Sequence, residues 1–505
     1  EYPVSVITSC RKRRSVTGNR DNRRGGLASG AARLAGASAK GIFMSQNNPP
    51  QGLEPLEELE LSALPARPQG FQSALRLNIR GRSVSLRRFQ RPPMGPLKWL
   101  LILGPGLIAS SAGNDAGGIA TYSQTGAKFG YDLIWVMVII TVSLAVVQEM
   151  VARLGAATGR GLLDLIRERF GIGWALLAMG TLFIANGGIV VSEFLGIGAA
   201  AELFGISKWL AIPVSAVILW YLVIYGSYAR VEKIFLLMTL VFFAYPVAAI
   251  LARPDWGEVA RGAFIPTFRP DQEYLFLLVG LLGTTITPFM QLFQQSSTVE
   301  RGVARRHYGP ERIDAYAGAI FSNLISVTMI IATAATLHQA GQTDIANATD
   351  AARALEPFAG NAAKSLFAVG LMGASLLAGA VLPLATAYAV SEVFGMPKGV
   401  NLDFRRAPIF FGLFTGIIFI GAALALLPNL PVIQWLVAVQ VLNGVLLPIM
   451  LVFILKLIND QPLMKELKNT RTYNLLGWGT FILITAAVII MLGSQILTML
   501  GILSQ

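Results

Sequence analysis

Residues 104–124 read GPGLIASSAGNDAGGIATYSQ, and residues 280–297 read GLLGTTITPFMQLFQQSS. Both stretches are apolar at their ends and interrupted in the middle. In the first, Gly113-Asn114-Asp115-Ala116-Gly117-Gly118 cannot hold a regular helix well, because three glycines weaken it and free its backbone groups. In the second, Pro288 removes one amide and clashes with the preceding turn, while Gly280 and Gly283 loosen the segment before it. Two interrupted segments at corresponding positions point to a transporter built from inverted repeats, with the unwound backbone facing a cavity at mid-membrane.

The rest of the chain fits that setting. Of 505 residues, 54% are hydrophobic and 14% charged, where soluble domains average about 25% charged. Apolar runs of spanning length recur, among them Leu133–Val151, Trp209–Tyr225, Ile234–Leu251, Ile409–Leu427 and Trp435–Leu455. The pattern predicts an all-α integral membrane protein with about eleven spans: 97–125, 131–153, 173–202, 208–226, 233–252, 274–298, 314–338, 363–393, 408–428, 431–457 and 473–500. The two broken stretches are spans 1 and 6, the first members of two five-helix halves.

The net charge of +13 is read as topology-setting charge, not as a nucleic-acid surface. Loops carrying Arg160, Arg167, Arg169, Arg301, Arg305, Lys398, Arg405 and Lys465 are far richer in cations than those carrying Lys128, Lys208, Arg261 and Arg269. The richer set predicts the cytoplasmic side, so a multi-pass cell-membrane protein has its N-terminus cytoplasmic and its C-terminus extracytoplasmic. Residues 1–95 read as a disordered basic and polar cytosolic tail, with 1–43 an extension upstream of Met44, and 96–505 as the transporter domain.

An enzyme needs a nucleophile–base pair or a metal cluster. The lone Cys10 and the two histidines, His307 and His338, build neither a thiolate cluster nor an imidazole zinc site, so no enzyme and no resident cofactor is expected. A carboxylate at mid-bilayer costs at least ~2.5–3.5 kcal/mol on insertion scales, which makes Asp115 a functional candidate, with helix capping as its alternative role. The donors offered at the breaks are oxygens: the Asp115 carboxylate, carbonyls near Asn114 and Thr284, the Thr287 hydroxyl and the Gln440 amide, with Gly118 closing the first break. Oxygen ligands suit hard cations such as Mg²⁺, Ca²⁺ or Mn²⁺. At helical spacing Met290 points away from Thr287 and reads as core packing, with a ligand role as its alternative. Glu149 and Glu193 either line a water path or bond a neighbouring helix, Ser296 and Asn323 read as interhelical hydrogen-bonding residues, and Arg153 and Arg160 as interface anchors.

These residues, together with VVQEMVARLGAATGRGLLDLI at 146–166, SEFLGIGAAAELFGI at 192–206 and VQVLNGVLLPIMLVFIL at 439–455, resemble the NRAMP family of divalent metal transporters. The resemblance implies the 5+5 inverted-repeat fold named for the bacterial leucine transporter (LeuT-type). Of the metal set Asp115, Gly118, Asn114, Thr284, Thr287 and Gln440, the resemblance carries over Asp115 and Gln440. The family's Asp-Pro-Gly-Asn is here Asp115-Ala116-Gly117-Gly118, and its Met-Pro-His is Thr287-Pro288-Phe289. Of the acidic pair in span 3 only Glu193 stands, with Val190 at the other position. Those departures resemble the NRAMP-related magnesium transporters. They imply uptake of Mg²⁺, and also Mn²⁺, driven by gradient and potential without obligatory proton coupling. The alternative is a proton-coupled Mn²⁺ or Fe²⁺ importer. An amino-acid symporter on the same fold is disfavoured, because Asp115 would repel a substrate carboxylate.

Overall fold

The computed structural model divides the chain into Glu1–Arg67 and Pro68–Gln505. The residues described are 76–79, 82–85, 105–225 and 243–500, apart from 270, 304, 306, 307, 346, 353–362, 401 and 429. The first unit, and the expectations placed on it, therefore lie outside the described residues. Of the predicted tail beyond it, the structure describes one hairpin, β1 (Arg76–Ile79) paired antiparallel with β2 (Arg82–Ser85).

Span 1 is two short helices, α1 (Pro105–Ser111) and α2 (Ala116–Phe129). Then follow α3 (Ile134–Thr158), α4 (Leu162–Phe170), α5 (Ile172–Leu203), α6 (Lys208–Tyr225), α7 (Ala244–Leu251) and α8 (Trp256–Phe264). Span 6 is again two helices, α9 (Gln272–Thr285) and α10 (Pro288–Glu300). The chain continues with α11 (Tyr308–Thr333), which runs into a π turn at Ala334–His338, α12 (Ala348–Ala352) and α13 (Ala363–Phe394). It ends with α14 (Pro408–Ala425), α15 (Val432–Ile458), α16 (Gln461–Met464) and α17 (Arg471–Met499).

Nine stretches among the described residues are long and apolar enough to cross a membrane. The two further predicted spans are span 1, which its break divides, and span 5, of which 233–242 lies outside the described residues while α7 lies in its end. The all-α architecture with broken spans 1 and 6 is as expected. Four short helices lie outside the predicted spans, α4, α8, α12 and α16, because nine residues or fewer fall short of spanning length.

Burial sorts the helices. The stretch built from α9 and α10 buries 94% of its apolar window, whereas α6 and α17 bury 28% and 33% and show Tyr221, Ile482 and Ile489 to the surroundings. Around the broken spans, α9 packs on α15, α11 on α1 and α3, and α5 on α13. The closest approach is glycine-made. A methyl on Gly283 would collide with the Gln440 carbonyl and the Gly444 amide of α15, and one on Gly444 would lie 2.5 Å from the Val279 carbonyl of α9.

The charged residues predicted to anchor at an interface split. Arg160 is exposed and pairs with Glu168. Arg153 is instead buried, because Glu149 one turn earlier supplies a counter-charge at 3.1 Å and Asn469 an acceptor at 2.5 Å. Glu149 also accepts from the Tyr308 hydroxyl, the neighbouring-helix alternative rather than a water path.

Candidate functional site

The first break is capped by a side chain and the second restarts on a proline, which is how the chain can stop and restart there inside the protein. Asp115 has extended backbone angles (φ −71°, ψ −179°), and its Oδ1 accepts from the Gly118 amide at 2.5 Å, an N-cap on α2. The capping role foreseen as an alternative is thus real, and it leaves Oδ2 for other partners. At the second break Thr287 (φ −66°, ψ 139°) ends the irregular stretch and Pro288 opens α10, where its missing N–H is no loss. Thr284 Oγ1 reaches the Gly113 carbonyl at 3.4 Å and so joins the two breaks.

Three oxygens converge beside Gly118. A methyl group there would lie 2.7 Å from the Gly113 carbonyl oxygen, 2.9 Å from Thr284 Oγ1 and 3.2 Å from Asp115 Oδ1. The absence of a side chain at Gly118 leaves those oxygens facing a common space. Gln440 of α15 completes the ring, with Nε2 2.9 Å from Asp115 Oδ1 and 3.0 Å from Oδ2. Asp115, Thr284, Thr287 and Gln440 are all fully buried, and Thr287 Oγ1 has no hydrogen-bond partner among the described residues.

Asn114 turns away. Its Nδ2 donates to Ser322 Oγ at 3.2 Å, and its Oδ1 accepts from Ser326 Oγ at 2.8 Å, so its side chain ties the break to α11. Within this arrangement Asn114 has only its backbone carbonyl to offer a cation. Glu193 of α5 is at the site: its Oε2 accepts from the Ala116 amide at 3.2 Å, next to Asp115. Met290 is also nearer than helical spacing suggested, with its terminal methyl where a Gly113 side chain would stand. Ser296 acts between helices as expected, donating to Glu392 of α13 at 3.0 Å, whereas Asn323 donates within its own helix to the Ala319 carbonyl at 3.4 Å.

No group of three His, Cys, Asp or Glu side chains that could hold a metal occurs among the described residues. A cation at the breaks would therefore be held by one or two carboxylates and several neutral oxygens, a set suited to passage more than to retention.

A cavity of about 660 Å³ opens between α2, α9 and α15, lined by Gln124, Gln272, Glu273, Asp344 and Gln434, with Val437 three residues before Gln440. Lys128 stands at its rim, 2.7 Å from Glu273 and 3.3 Å from Asp344. At the far end of α10, side chains of α13 and α4 meet it. Glu392 accepts from Ser296 and from the Leu163 amide at 2.9 Å, which begins α4, and Lys398 bridges Glu392 at 3.4 Å and Asp164.

A family model described as natural resistance-associated macrophage protein-like matches residues 106–494. The divalent metal cation transporter MntH of Deinococcus radiodurans is 31% identical over 417 residues, covering 78% of this chain and 90% of the relative. That of Yersinia pestis (strain Pestoides F) is 29% identical over 409 residues, covering 79% and 95%. Among solved structures, the manganese transporter of Eremococcus coleocola superposes with a TM-score of 0.64 at 20% identity, covering 82% of this chain and 91% of that one. This last likeness carries the fold.

Proposed function

The chain belongs to the natural resistance-associated macrophage protein (Nramp) family, and from that premise we propose that it carries divalent metal cations across a membrane through the oxygen-lined break at Asp115. The convergence of the Gly113 carbonyl, Thr284 hydroxyl and Asp115 carboxylate beside Gly118, contributed by both broken spans, is the observation that carries this reading. Relatives named divalent metal cation transporters and a neighbour named a manganese transporter support it.

Among cations, the preferred cargo is Mg²⁺, with Mn²⁺ also carried. Hard oxygens dominate the site, and the side-chain-free position at Gly118, where three of them converge, suits Mg²⁺, a hard cation that takes oxygen ligands. The cavity rimmed by Lys128 is the extracytoplasmic mouth, and the Glu392 cluster closes the cytoplasmic one. Two positive charges then move down the potential, worth about 2.3 kcal/mol per charge per 100 mV, with no proton required. A second reading, proton-coupled Mn²⁺ or Fe²⁺ import, has its own support in Glu193 beside Asp115 and in the Met290 thioether side chain against Gly113.

Proteoliposomes holding the full chain separate the two. Mg²⁺ entry that rises with an imposed inside-negative potential, without acidifying the lumen, and that Asp115→Ala abolishes, is the expected result. Mn²⁺ entry with acidification, and no Mg²⁺ entry at millimolar concentration, would replace the first reading by the second.

A further inference from the structure

Gln440 is confined by glycines on two other helices. A methyl on Gly117 of α2 would collide with its Nε2, and one on Gly283 of α9 would collide with its backbone carbonyl. Its backbone therefore has little room to shift, and its side-chain amide is the part that can move. Asp115 carboxylate oxygens only accept, so Gln440 meets them with its N–H groups. Oε1 is then directed away from Asp115 and receives Nδ2 of Asn443 at 3.1 Å. Asn443 lies three residues along α15 and is fully buried, and its own Oδ1 has no hydrogen-bond partner among the described residues.

An amide N–H and a cation compete for the same carboxylate oxygens, since both are positive. A cation held by Asp115 would face the Gln440 hydrogens unless the amide turned over and offered Oε1. The last torsion of glutamine is broad and roughly two-fold, so a half-turn keeps the shape of the side chain. It also carries Nε2 to the place Oε1 occupied, facing Asn443, where a buried N–H needs an acceptor.

We propose that Asn443 is a positioning residue that lets the Gln440 amide serve either way round, as donor to Asp115 or as oxygen ligand to the cation. Asn443 donates Nδ2 in the first orientation, and after its own half-turn accepts through Oδ1 in the second, so the Gln440 amide keeps a hydrogen-bond partner either way round. This rests on Asp115 being the cation site. Asn443 touches neither cation nor carboxylate, and acts only through Gln440.

The test is a double-mutant cycle on Mn²⁺ and Mg²⁺ uptake by the full chain in proteoliposomes, with Vmax normalised to protein reconstituted. Asn443→Leu removes both partners. An unpaired buried N–H is worse tolerated than an unpaired carbonyl, so the cation-facing orientation suffers more and KM rises about tenfold. In a Gln440→Leu background the same change should move KM less than about twofold, because distinct residues couple only through a shared contact. Asn443→Asp, which only accepts, is the second variant should the leucine fail to fold. It favours the amide oxygen facing the cation and lowers KM with Gln440 present, and the effect of its charge alone is read in the Gln440→Leu background. Equal KM shifts in both backgrounds, or none, overturn the role of Asn443 while Asp115→Ala stays inactive. Full uptake by Asp115→Ala would overturn the site reading, and this inference with it.

Discussion

A methyl group is the smallest perturbation the site can be given, and Gly118 is where it does most. Gly118→Ala places carbon among the Gly113, Thr284 and Asp115 oxygens at 2.7–3.2 Å, and should lower metal uptake at least about tenfold while the protein still assembles. Gly187→Ala on α5, with nothing within 4 Å of the new carbon, is the control that should keep normal uptake. Asp115 and Gln440 were legible because ionisable and amide side chains in apolar spans carry a cost that invites a reason. Met290 is buried core packing as expected, but against Gly113 of the first break, a contact that helical spacing alone does not give. Asn443 was overlooked inside an apolar run, yet its offset of three from Gln440 is the signal that places two side chains on one helix face.

Between helices, the two glycines of α9 make a contrast that a spanning pattern alone does not reveal. Gly283 touches the α15 backbone, so Gly283→Ala must force the helices apart and should cost about 1–3 kcal/mol, seen as a lower melting temperature in detergent. Gly280→Ala meets only the Thr121 and Val441 methyls at 3.4 Å, ordinary contact, and should melt like the wild type. The Glu392 cluster gives a second expectation. With Cys10 replaced, Ser296→Cys should react slowly with a maleimide, and adding Glu392→Ala should speed the reaction by removing the carboxylate that joins α10, α13 and α4. Unchanged labelling would show that these bonds do not hold that end shut. The breaks in spans 1 and 6 could be read from Gly and Pro because those residues act on the backbone locally. The joining helices α4 and α8 could not, since what orders them is distant contact, such as Glu392 at the start of α4.

Across the whole molecule, the vestibule carries two carboxylates and one lysine at its rim. Lys128→Gln should raise the rate of cation entry at low ionic strength, and the gain should fade as salt is added, because exposed charges are screened within about 10 Å at 0.1 M. An increase that persists at high salt would mean that Lys128 acts by structure and not by charge. The spans were readable at this scale because hydropathy counts residues, whereas the open and closed ends depend on which side chains meet across helices. One carboxylate oxygen, Oδ1 of Asp115, is claimed by the Gly118 amide in the first turn of α2, by Gln440 Nε2 and by the space where cargo would sit. Cargo that draws on Oδ1 loosens the first turn of a rod of 14 residues, about 21 Å long, whose far end bears Lys128. Loading at Asp115 and capping of α2 thus draw on one oxygen, and the first turn of that helix is where a bound cation would be felt.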